Sequence, residues 1–475
     1  MVLVNKGHKF NYETENLCRV FFPLEKIEVT DEDRESQRKI ITEKVNEKIS
    51  VEICFEDEKK FLEKVCDADD DFELEIATLL FNGLTEITGY IPRWGLLTGV
   101  RPSKLMLKLT EEMGEEKAYE YFTGKLLVSD EKTHLAMSVA KCEEKIISLS
   151  ESKSFSLYIS IPFCPTRCNY CSFVSHSIEK TKKLMTPYVE NLCEEIRLTG
   201  EIARELNLKL ETVYFGGGTP TTLTAEQLEK LLSAVEENFD LSTCFEYTVE
   251  AGRPDTVTRE KLDVLKKKGV TRISINPQTF NDSVLENIGR KHTAEDTISA
   301  FKMAREAGFD NINMDLIAGL SGDTLESFSD TLDIINELNP ENVTVHTLAL
   351  KRSSNLAGDT TGLSGGRLAN DMINLSHEKL SAYEPYYMYR QSKSLGNLEN
   401  VGWCKKGFEC AYNIFMMEEC HTILACGAGA VTKLKEPDGS VIERIFNFKY
   451  PYEYNDRLSE LFERKKRIYE FYSKR

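Results

Sequence analysis

The stretch Tyr158-Ile-Ser-Ile-Pro-Phe-Cys-Pro-Thr-Arg-Cys-Asn-Tyr-Cys171 combines a strand pattern with a cysteine-rich loop. Its first residues are rich in isoleucine, and two prolines then interrupt any regular element, so it predicts a strand that runs into a loop. The loop offers three cysteines in the spacing C-x3-C-x2-C: Cys164, Cys168 and Cys171. An electron-transfer 4Fe–4S cluster uses four cysteines, whereas three thiolates leave one iron open to a small molecule. The spacing therefore predicts a 4Fe–4S cluster that serves catalysis.

Two other interpretations of this loop stay open at the level of the sequence. The spacing i, i+4, i+7 is also that of a buried helix face, although Pro162 and Pro165 argue against a helix. A zinc site of the Cys3His type is the second alternative, with His176 as its fourth ligand.

The composition narrows the class of protein. A length of 475 residues predicts about two to four domains. The chain has no apolar run of about 18 residues, so no membrane span is expected, and its start does not resemble a secretion signal. Thirteen cysteines in such a chain indicate a reducing, cytoplasmic setting. The net charge of −18 argues against a nucleic-acid partner, which would need a basic field.

Residues 156–350 alternate strand and helix patterns six times. Right-handed crossover helices between the strands would make the sheet parallel. Six units are fewer than the eight of a closed barrel, so the predicted fold class is α/β, a partial, open (β/α)6 barrel. The predicted strands are 156–162, 211–217, 245–252, 269–278, 308–320 and 342–350. The predicted helices between them are 182–206, 225–239, 259–268, 294–307 and 324–338.

Distinctive residues stand where these strands end. The cysteine loop follows the first strand, and Gly216-Gly-Gly-Thr-Pro220 follows the second. Glu250 ends the third strand, Gln278 ends the fourth, and Asp315 lies within the fifth. Active sites of α/β barrels form at the carboxyl ends of the strands. We therefore expect all these residues at one rim.

The flanking regions predict two further parts. Residues 1–150 predict an N-terminal α+β accessory domain, with strands at 3–10, 17–22 and 49–55 and helices at 72–88 and 131–147. Residues 151–355 would form the barrel, and 356–475 a C-terminal extension that covers the substrate side. Residues 356–367 are rich in Gly, Ser and Thr, which indicates a flexible join. The tyrosine-rich residues 386–390 favour a core strand over a cofactor site.

Residues 93–103 mix glycine, arginine and tryptophan. We interpret this segment as a loop packed under a helix that starts near Ser103, because turn and cap residues precede that position. A site for a substrate carboxylate is the alternative.

Taken together, these motifs resemble the radical S-adenosylmethionine (SAM) superfamily. The residues that carry the resemblance are Cys164, Cys168, Tyr170, Cys171, the run Gly216-Gly-Gly-Thr-Pro220, Glu250, Gln278, Arg290 and Asp315. Within the superfamily, the chain is similar to the anaerobic coproporphyrinogen dehydrogenase branch and to its haem-chaperone relatives. Residues 389–402, residues 427–430 and the long N-terminal region most resemble the HemZ-type subgroup.

The resemblance implies two cofactors, a 4Fe–4S cluster and SAM. The open iron would bind the amino and carboxylate groups of SAM, and one electron would cleave a carbon–sulfur bond. The products would be methionine and a 5′-deoxyadenosyl radical, which removes a hydrogen atom from the substrate. The cluster ligands implied by family position are Cys164, Cys168 and Cys171. The implied SAM contacts are Tyr158, Tyr170, Gly217, Gly218, Thr219, Glu250, Gln278, Arg290, Asp315 and Ala349.

Some of these residues also have plainer explanations. Glycines let a backbone approach a ligand closely, but residues 216–220 also suit an ordinary strand-to-helix turn. The guanidinium of Arg290 suits a carboxylate, and its alternative is a surface salt bridge with Glu286, four residues earlier. Asp315 would be costly inside a barrel unless it is paired.

The leading functional interpretation rests on the resemblance. It is an oxygen-independent coproporphyrinogen III dehydrogenase, which converts two propionates to vinyl groups and yields protoporphyrinogen IX. The expected partners are this tetrapyrrole and a one-electron donor such as flavodoxin or ferredoxin. The candidate cations for the propionates are Arg167, Arg253, Arg352 and Arg390.

One departure from the family pattern favours a different function. The porphyrinogen dehydrogenases carry a fourth cysteine two positions after the third, where this chain has Phe173. The haem chaperones lack that cysteine too, so a haem-delivery protein is the first alternative. Another tetrapyrrole-modifying radical SAM enzyme, which transfers a methyl group or opens the haem ring, is the second.

Overall fold

Two large sheets organise the chain in the computed structural model, which describes residues 1–56, 58–171, 175–349, 363–391, 394–437 and 439–473. The first has five strands within the first 65 residues, and the second has eleven strands and begins at Ser154. In these described ranges, no helix is long and apolar enough to cross a membrane.

The N-terminal sheet has the strand order β2-β1-β3-β4-β5. Its strands are β1 Val2–Lys6, β2 Glu28–Thr30, β3 Arg38–Val45, β4 Lys48–Phe55 and β5 Glu58–Val65. The helices of this region are α1 Asn11–Phe21, α2 Phe72–Thr88, α3 Pro102–Met113, α4 Glu115–Glu120 and α5 Asp130–Ile147.

The predicted strand at 17–22 is wrong, because residues 17–21 lie in α1 and Phe22 caps its end. Thr14, Leu17, Cys18 and Phe21 are all buried, and their spacing of three and four residues is that of one helix face. A short apolar run does not reveal its period by itself, and here the residues before it set the period to that of a helix.

The predicted helix at 72–88 is confirmed, and its ends show why it forms. The side chain of Asp71 accepts hydrogen bonds from the backbone N–H groups of Glu73 and Leu74, which caps the first turn. The helix ends at Gly89 in the left-handed region. Asp71, the last residue of an acidic run at 67–71, therefore acts as the N-terminal cap of α2.

The second sheet contains the predicted barrel. Its order is β14-β15-β13-β12-β11-β10-β9-β6-β16-β17-β18, and β14 and β18 stand at opposite ends, so the sheet is open. The six barrel strands are parallel and are β6 Ser154–Ile161, β9 Lys209–Gly217, β10 Glu246–Glu250, β11 Arg272–Ser274, β12 Ile312–Ala318 and β13 Asn342–Thr347. A short parallel pair, β7 Phe163–Cys164 and β8 His176–Ser177, holds the cysteine loop.

All five predicted crossover helices are confirmed. They are α6 Ile178–Glu205, α7 Ala225–Asn238, α8 Arg259–Lys267, α10 Ala294–Glu306 and α11 Leu325–Leu338, with the short α9 Asp282–Asn287 before α10. The fold is therefore the partial, open α/β barrel that the strand–helix rhythm predicts. Strand β11 is much shorter than the predicted 269–278, and Gln278, with φ of 69°, rejoins the sheet by a single bridge to Leu316.

The C-terminal residues extend the same sheet at both ends. The strands are β14 Glu384–Arg390, β15 Glu399–Cys404, β16 Thr422–Cys426, β17 Val431–Lys435 and β18 Ile442–Phe446. The helices are α12 Leu363–Lys379, α13 Ala411–Glu418, α14 Pro451–Asp456, α15 Leu458–Lys465 and α16 Arg467–Ser473. The predicted flexible join at 356–367 is wrong for 363–367, which begin α12, and its other residues lie outside the described ranges. The domain boundaries and the covering role of 356–475 stay predictions.

A buried polar contact joins the N-terminal region to the large sheet. Lys132 Nζ lies 2.7 Å from Glu399 Oε1, and both side chains are inaccessible to solvent. Trp94 Nε1 donates to the other oxygen of Glu399 at 2.7 Å. The segment at 93–103 thus packs against β14 and β15 and leads into α3, as its interpretation as a loop under a helix predicts.

Candidate cofactor and substrate site

One cavity of about 390 Å³ lies where the barrel strands end. It gathers nearly every residue that the sequence singles out, namely Cys164, Cys168, Cys171, Tyr170, Gly217, Gly218, Thr219, Glu250, Gln278, Arg290, Asp315 and Ala349. Tyr158 does not line the cavity. Its ring lies behind the rings of Tyr214 and Tyr412, with centroid distances of 6.3 and 6.1 Å. The part that each residue plays in binding stays a prediction.

The cysteine loop is docked onto the turn that follows α9. Asn169 donates from its backbone N–H to the carbonyl of Ile288 at 3.0 Å and from its side chain to the carbonyl of Asn287 at 2.9 Å. Thr166 Oγ1 donates to the carbonyl of Gly289 at 3.2 Å. The loop is thus fixed before the third cysteine by contacts from another part of the barrel.

The glycine run packs directly against the first cysteine. A Cβ atom on Gly218 would lie 2.6 Å from the carbonyl oxygen of Phe163 and 3.0 Å from Cys164 Sγ, so no side chain fits there. Gly217 has φ of 103°, which favours glycine. Thr219 Oγ1 donates to Cys164 Sγ at 3.5 Å. These close approaches fix the glycine loop against the first cysteine, and its role in binding a ligand stays a prediction.

Glu250 faces the cavity with a raised pKa. Its surroundings exclude water and raise the pKa of the carboxyl to about 7, although the Tyr214 hydroxyl, which donates to Oε1 at 2.6 Å, opposes the shift. Near neutral pH this carboxyl can therefore exchange between an acceptor form and a protonated form. It would accept hydroxyl hydrogen bonds best once it is ionised.

Asp315 has the partners that a buried carboxylate needs. Burial raises its pKa, but hydrogen bonding to His346 and to Asn313 outweighs that effect and keeps the pKa below its ordinary value. Asn313 Nδ2 donates to Oδ1 at 2.7 Å, and His346 Nε2 lies 3.8 Å from Oδ2. The other ring nitrogen of His346 lies 3.4 Å from the hydroxyl of Tyr389. Asp315 is therefore held as an ionised acceptor.

Arg290 is buried, so the alternative of a surface salt bridge with Glu286 is wrong. Its side chain donates to the carbonyl of Asn276 at 2.6 Å and to the hydroxyl of Tyr170 at 3.1 Å. Its Nε is buried without a partner. Arg290 also lines the cavity, and a guanidinium in that position is suited to an incoming anion.

The four arginines considered for the substrate have different positions. The prediction that Arg390 binds a propionate is wrong, because Arg390 is buried and donates to the carbonyls of Leu97, Gly99 and Asn397. Arg167 is exposed and does not line the cavity. Arg253 lines the cavity but is already paired with Asp255. Arg352 and Phe173 lie outside the described residues.

His176 is badly placed for the zinc alternative. Its ring packs edge-on against Tyr450 at 5.9 Å, and it does not line the cavity that contains the three cysteines. The zinc site therefore loses its expected fourth ligand.

Several residues of the cavity were not predicted from the sequence. They are Arg272, Ser274, Asn276, His346, Tyr387, Tyr389, Asn413 and Met417. Arg272 and Ser274 share one face of β11, and Asn276 follows two residues after Ser274 in the same alternation, so a strand of known phase would have revealed them. Asn413 and Met417 come from α13, and no sequence pattern indicates that this helix lies near the barrel. Of these residues, Arg272 has two buried nitrogens and Ser274 a buried hydroxyl without partners.

The comparisons with known proteins agree with this geometry. The pattern of the Radical SAM superfamily matches residues 158–335. The oxygen-independent coproporphyrinogen-III oxidase-like protein HemZ of Bacillus subtilis is 40% identical over 393 residues, which cover 81% of this chain and 78% of that protein. The heme chaperone HemW of the same organism is 35% identical over 266 residues, 54% of this chain and 66% of its own length. The structure of coproporphyrinogen III oxidase HemN from Escherichia coli covers 68% of this chain and 73% of that one, with a TM-score of 0.50 and 23% identity.

Radical SAM proteins bind a 4Fe–4S cluster and SAM, and the residues of the cavity fit both. Three thiols meet a glycine loop at one side, while Arg290 and Ser274 keep buried donors free. Among the described residues, no group of three or more His, Cys, Asp or Glu side chains is arranged to hold a metal ion. The matched pattern and the long similarity to HemZ show that this chain belongs to the HemZ-like branch of the radical SAM superfamily.

Proposed function

We propose that this protein is a radical SAM enzyme of tetrapyrrole synthesis that converts coproporphyrinogen III to protoporphyrinogen IX without oxygen. The observation that carries the proposal is the single cavity in which the cysteine loop, the glycine loop and the strand-end polar residues meet. The similarity to HemZ over most of both chains supports the tetrapyrrole as the class of substrate.

The residues of the cavity would bind and orient SAM. Arg290 offers a guanidinium donor to the methionine carboxylate, and Glu250 and Asp315 offer acceptors to hydroxyl groups. Because Gly218 lacks a side chain, the glycine loop packs directly against Phe163 and Cys164, which would hold it beside the cluster. When bound, the cluster and SAM supply the one-electron and radical chemistry, while the protein supplies position and shielding.

The chemistry on the substrate would proceed on each of two propionates. A hydrogen atom would be removed from the β carbon by the SAM chemistry. Loss of carbon dioxide and transfer of the remaining electron to an external one-electron acceptor would then leave a vinyl group. Tyr387 and Tyr389 line the cavity on β14, and such aromatic side chains can pack against a flat tetrapyrrole while their hydroxyls contact polar groups. We propose this wall as part of the substrate side.

The test is an anaerobic reaction with the reconstituted full chain. SAM, dithionite and coproporphyrinogen III are added, and the products are identified by mass spectrometry. Loss of two carbon dioxide units, together with methionine and 5′-deoxyadenosine, is the expected result. Formation of 5′-deoxyadenosine without a change in the tetrapyrrole would reject this substrate but keep the radical enzyme.

A haem chaperone is the second candidate, and two observations favour it. The chain is 35% identical to the HemW chaperone over 266 residues, and Phe173 stands where the dehydrogenases carry a fourth cysteine. A chaperone with an intact cluster would bind haem stoichiometrically and would leave coproporphyrinogen unchanged. Haem titration of the reconstituted protein, followed by absorbance, separates the two functions.

A further inference from the structure

A buried arginine stands between the end of β10 and the cysteine loop. Arg253 is 3% exposed and lines the cavity. Its Nη1 lies 3.1 Å from Thr166 Oγ1 and 3.8 Å from Cys168 Sγ. The side chain therefore directs a charged donor at one of the three cluster ligands.

A carboxylate fixes the direction of this arginine. Asp255 accepts two parallel hydrogen bonds from Arg253, Nε to Oδ1 and Nη2 to Oδ2, each at 2.9 Å. Such a fork restricts the rotation of the guanidinium and leaves Nη1 for the loop. Asp255 is in turn 3.8 Å from the ring of His292, which is also buried. The arrangement is more rigid than a surface ion pair would be.

The three cysteines do not have equal surroundings. Cys168 lies near two guanidinium groups, those of Arg253 and Arg290. Cys164 accepts a hydrogen bond from the neutral hydroxyl of Thr219. Hydrogen bonds to the ligating sulfurs and nearby charge are among the factors that set the potential of an iron–sulfur cluster.

We propose that Arg253, oriented by Asp255, is a positioning residue that raises the reduction potential of the cluster through Cys168. Reduction adds one negative charge to the cluster, and a fixed positive charge beside a ligand sulfur stabilises that added charge. A chain that must accept an electron from a weak donor benefits from this stabilisation. The inference concerns the cluster alone and stands whether or not coproporphyrinogen III is the substrate.

Four variants of the full chain test the proposal. Arg253→Met removes the charge and keeps much of the side-chain volume, and Arg253→Gln removes the charge but keeps polar groups for Thr166 and Asp255. Arg253→Lys restores a positive charge without the fork. Arg259→Met is the control, because Arg259 forms an exposed pair with Asp263 at 2.8 Å on the neighbouring helix α8.

Each variant is reconstituted anaerobically without SAM or substrate, and its iron and sulfide contents are measured. Its midpoint potential is then determined by a redox titration followed by electron paramagnetic resonance. For the two neutral variants we expect the midpoint potential to fall by at least 59 mV. For one electron, this fall is a tenfold shift of the reduction equilibrium toward the oxidised cluster. The lysine variant should recover part of this shift, and the control should keep the parent potential.

Two results would overturn the proposal. The first is a neutral variant with a complete cluster and an unchanged potential. The second is a failure of both neutral variants to take up the cluster. That result would show that Arg253 stabilises the structure of the cysteine loop.

Discussion

The two sheets of this protein differ in whether their buried polar side chains have hydrogen-bond partners. In β4 of the N-terminal sheet, the inward residues Val51 and Ile53 are fully buried and apolar, while Glu52 between them is partly exposed. In the barrel sheet, Ser274 and Asn313 are buried although they are polar. Burial of polar groups costs free energy unless partners offset it. In the N-terminal sheet, the buried polar side chains Asn5 and Thr42 offset this cost by bonding to each other. In the barrel sheet, the hydroxyl of Ser274 has no such partner.

Unpartnered atoms show the same contrast. Among the described residues of β1–β5, no buried side-chain nitrogen or oxygen lacks a hydrogen bond. In the barrel strand β11, Arg272 has two such nitrogens and Ser274 one such oxygen. Buried donors without acceptors are rare in native proteins and call for an explanation. A ligand that brings its own acceptors is the explanation that the family membership supports.

The largest expected effect is the loss of a cluster ligand. Cys168→Ala removes one of three thiolates, so the visible absorbance of the cluster and the cleavage of SAM should disappear together. Cys54→Ala, at a partly exposed cysteine of β4, is the control and should keep both. Retained SAM cleavage in the Cys168 variant would contradict the assignment of the loop.

The next effect concerns the N-terminal sheet and should affect stability alone. Ile53 is fully buried, and its Cδ1 atom would lie 2.7 Å from a Cβ added to Gly83 of α2, so the sheet and helix approach closely there. Ile53→Ala should cost about 2–5 kcal/mol of unfolding free energy, as is usual for truncation of a large buried residue. Denaturant unfolding measures this loss, and SAM affinity under native conditions should not change. A parallel loss of SAM affinity would show that the two sheets are coupled.

Glu250 should show the opposite behaviour, with stability gained and binding lost. Its pKa of about 7 lies above the ordinary 4.5, so between these values the folded state holds more protons than the unfolded state. The free energy of unfolding therefore falls as the pH rises from 4.5 through about 7, by up to about 3 kcal/mol. Glu250→Gln has no such charge, so it should be more stable than the parent at pH 8, with a smaller difference at pH 6.

Unfolding of the reconstituted, SAM-free protein at the two pH values tests this prediction. The same variant should bind SAM more weakly above neutral pH, because an amide is a poorer acceptor than a carboxylate. Equal stability at both pH values would mean that Glu250 is ionised without cost in the folded protein.

Sequence reasoning succeeded where the structure is local. Each strand–helix unit of the barrel is contiguous, so periodicity alone located its six strands and the residues that follow them. It failed where distant segments meet, since strands β15–β18 join the barrel from the C-terminal region. The same limit hid His346 as the partner of Asp315, because that contact joins neighbouring strands and depends on their register.

The error over Arg390 has a physical reason of a different kind. Side chains alternate along β14, and Tyr387 and Tyr389 face the cavity, so Arg390 points to the other side. Position next to a family motif does not tell which face of a strand a residue occupies. The pairing of β14 with β15 determines which side chains of β14 face the cavity.

The smallest expected effect tests a single hydrogen-bonding group of the cavity. Arg290→Ala removes a guanidinium whose Nε is buried without a partner, while the cluster ligands stay in place. One charge-assisted hydrogen bond contributes about 1.5–3 kcal/mol, so SAM affinity should fall by roughly one to two powers of ten. Arg259→Ala, at an exposed pair on α8, is the control for the loss of a positive charge.

Binding of SAM to the reconstituted variants, followed by calorimetry, measures this loss, and iron content shows whether the cluster is kept. Because Arg290 also donates to the carbonyl of Asn276 and to Tyr170, Arg290→Lys separates the lost charge from the lost shape. If the lysine variant recovers most of the affinity, charge dominates. If it does not, the fork of the guanidinium is what SAM needs. An unchanged affinity in the alanine variant would show that Arg290 stabilises the barrel and does not bind SAM. Arg290 would then resemble the buried residues of the N-terminal sheet, which contribute to stability.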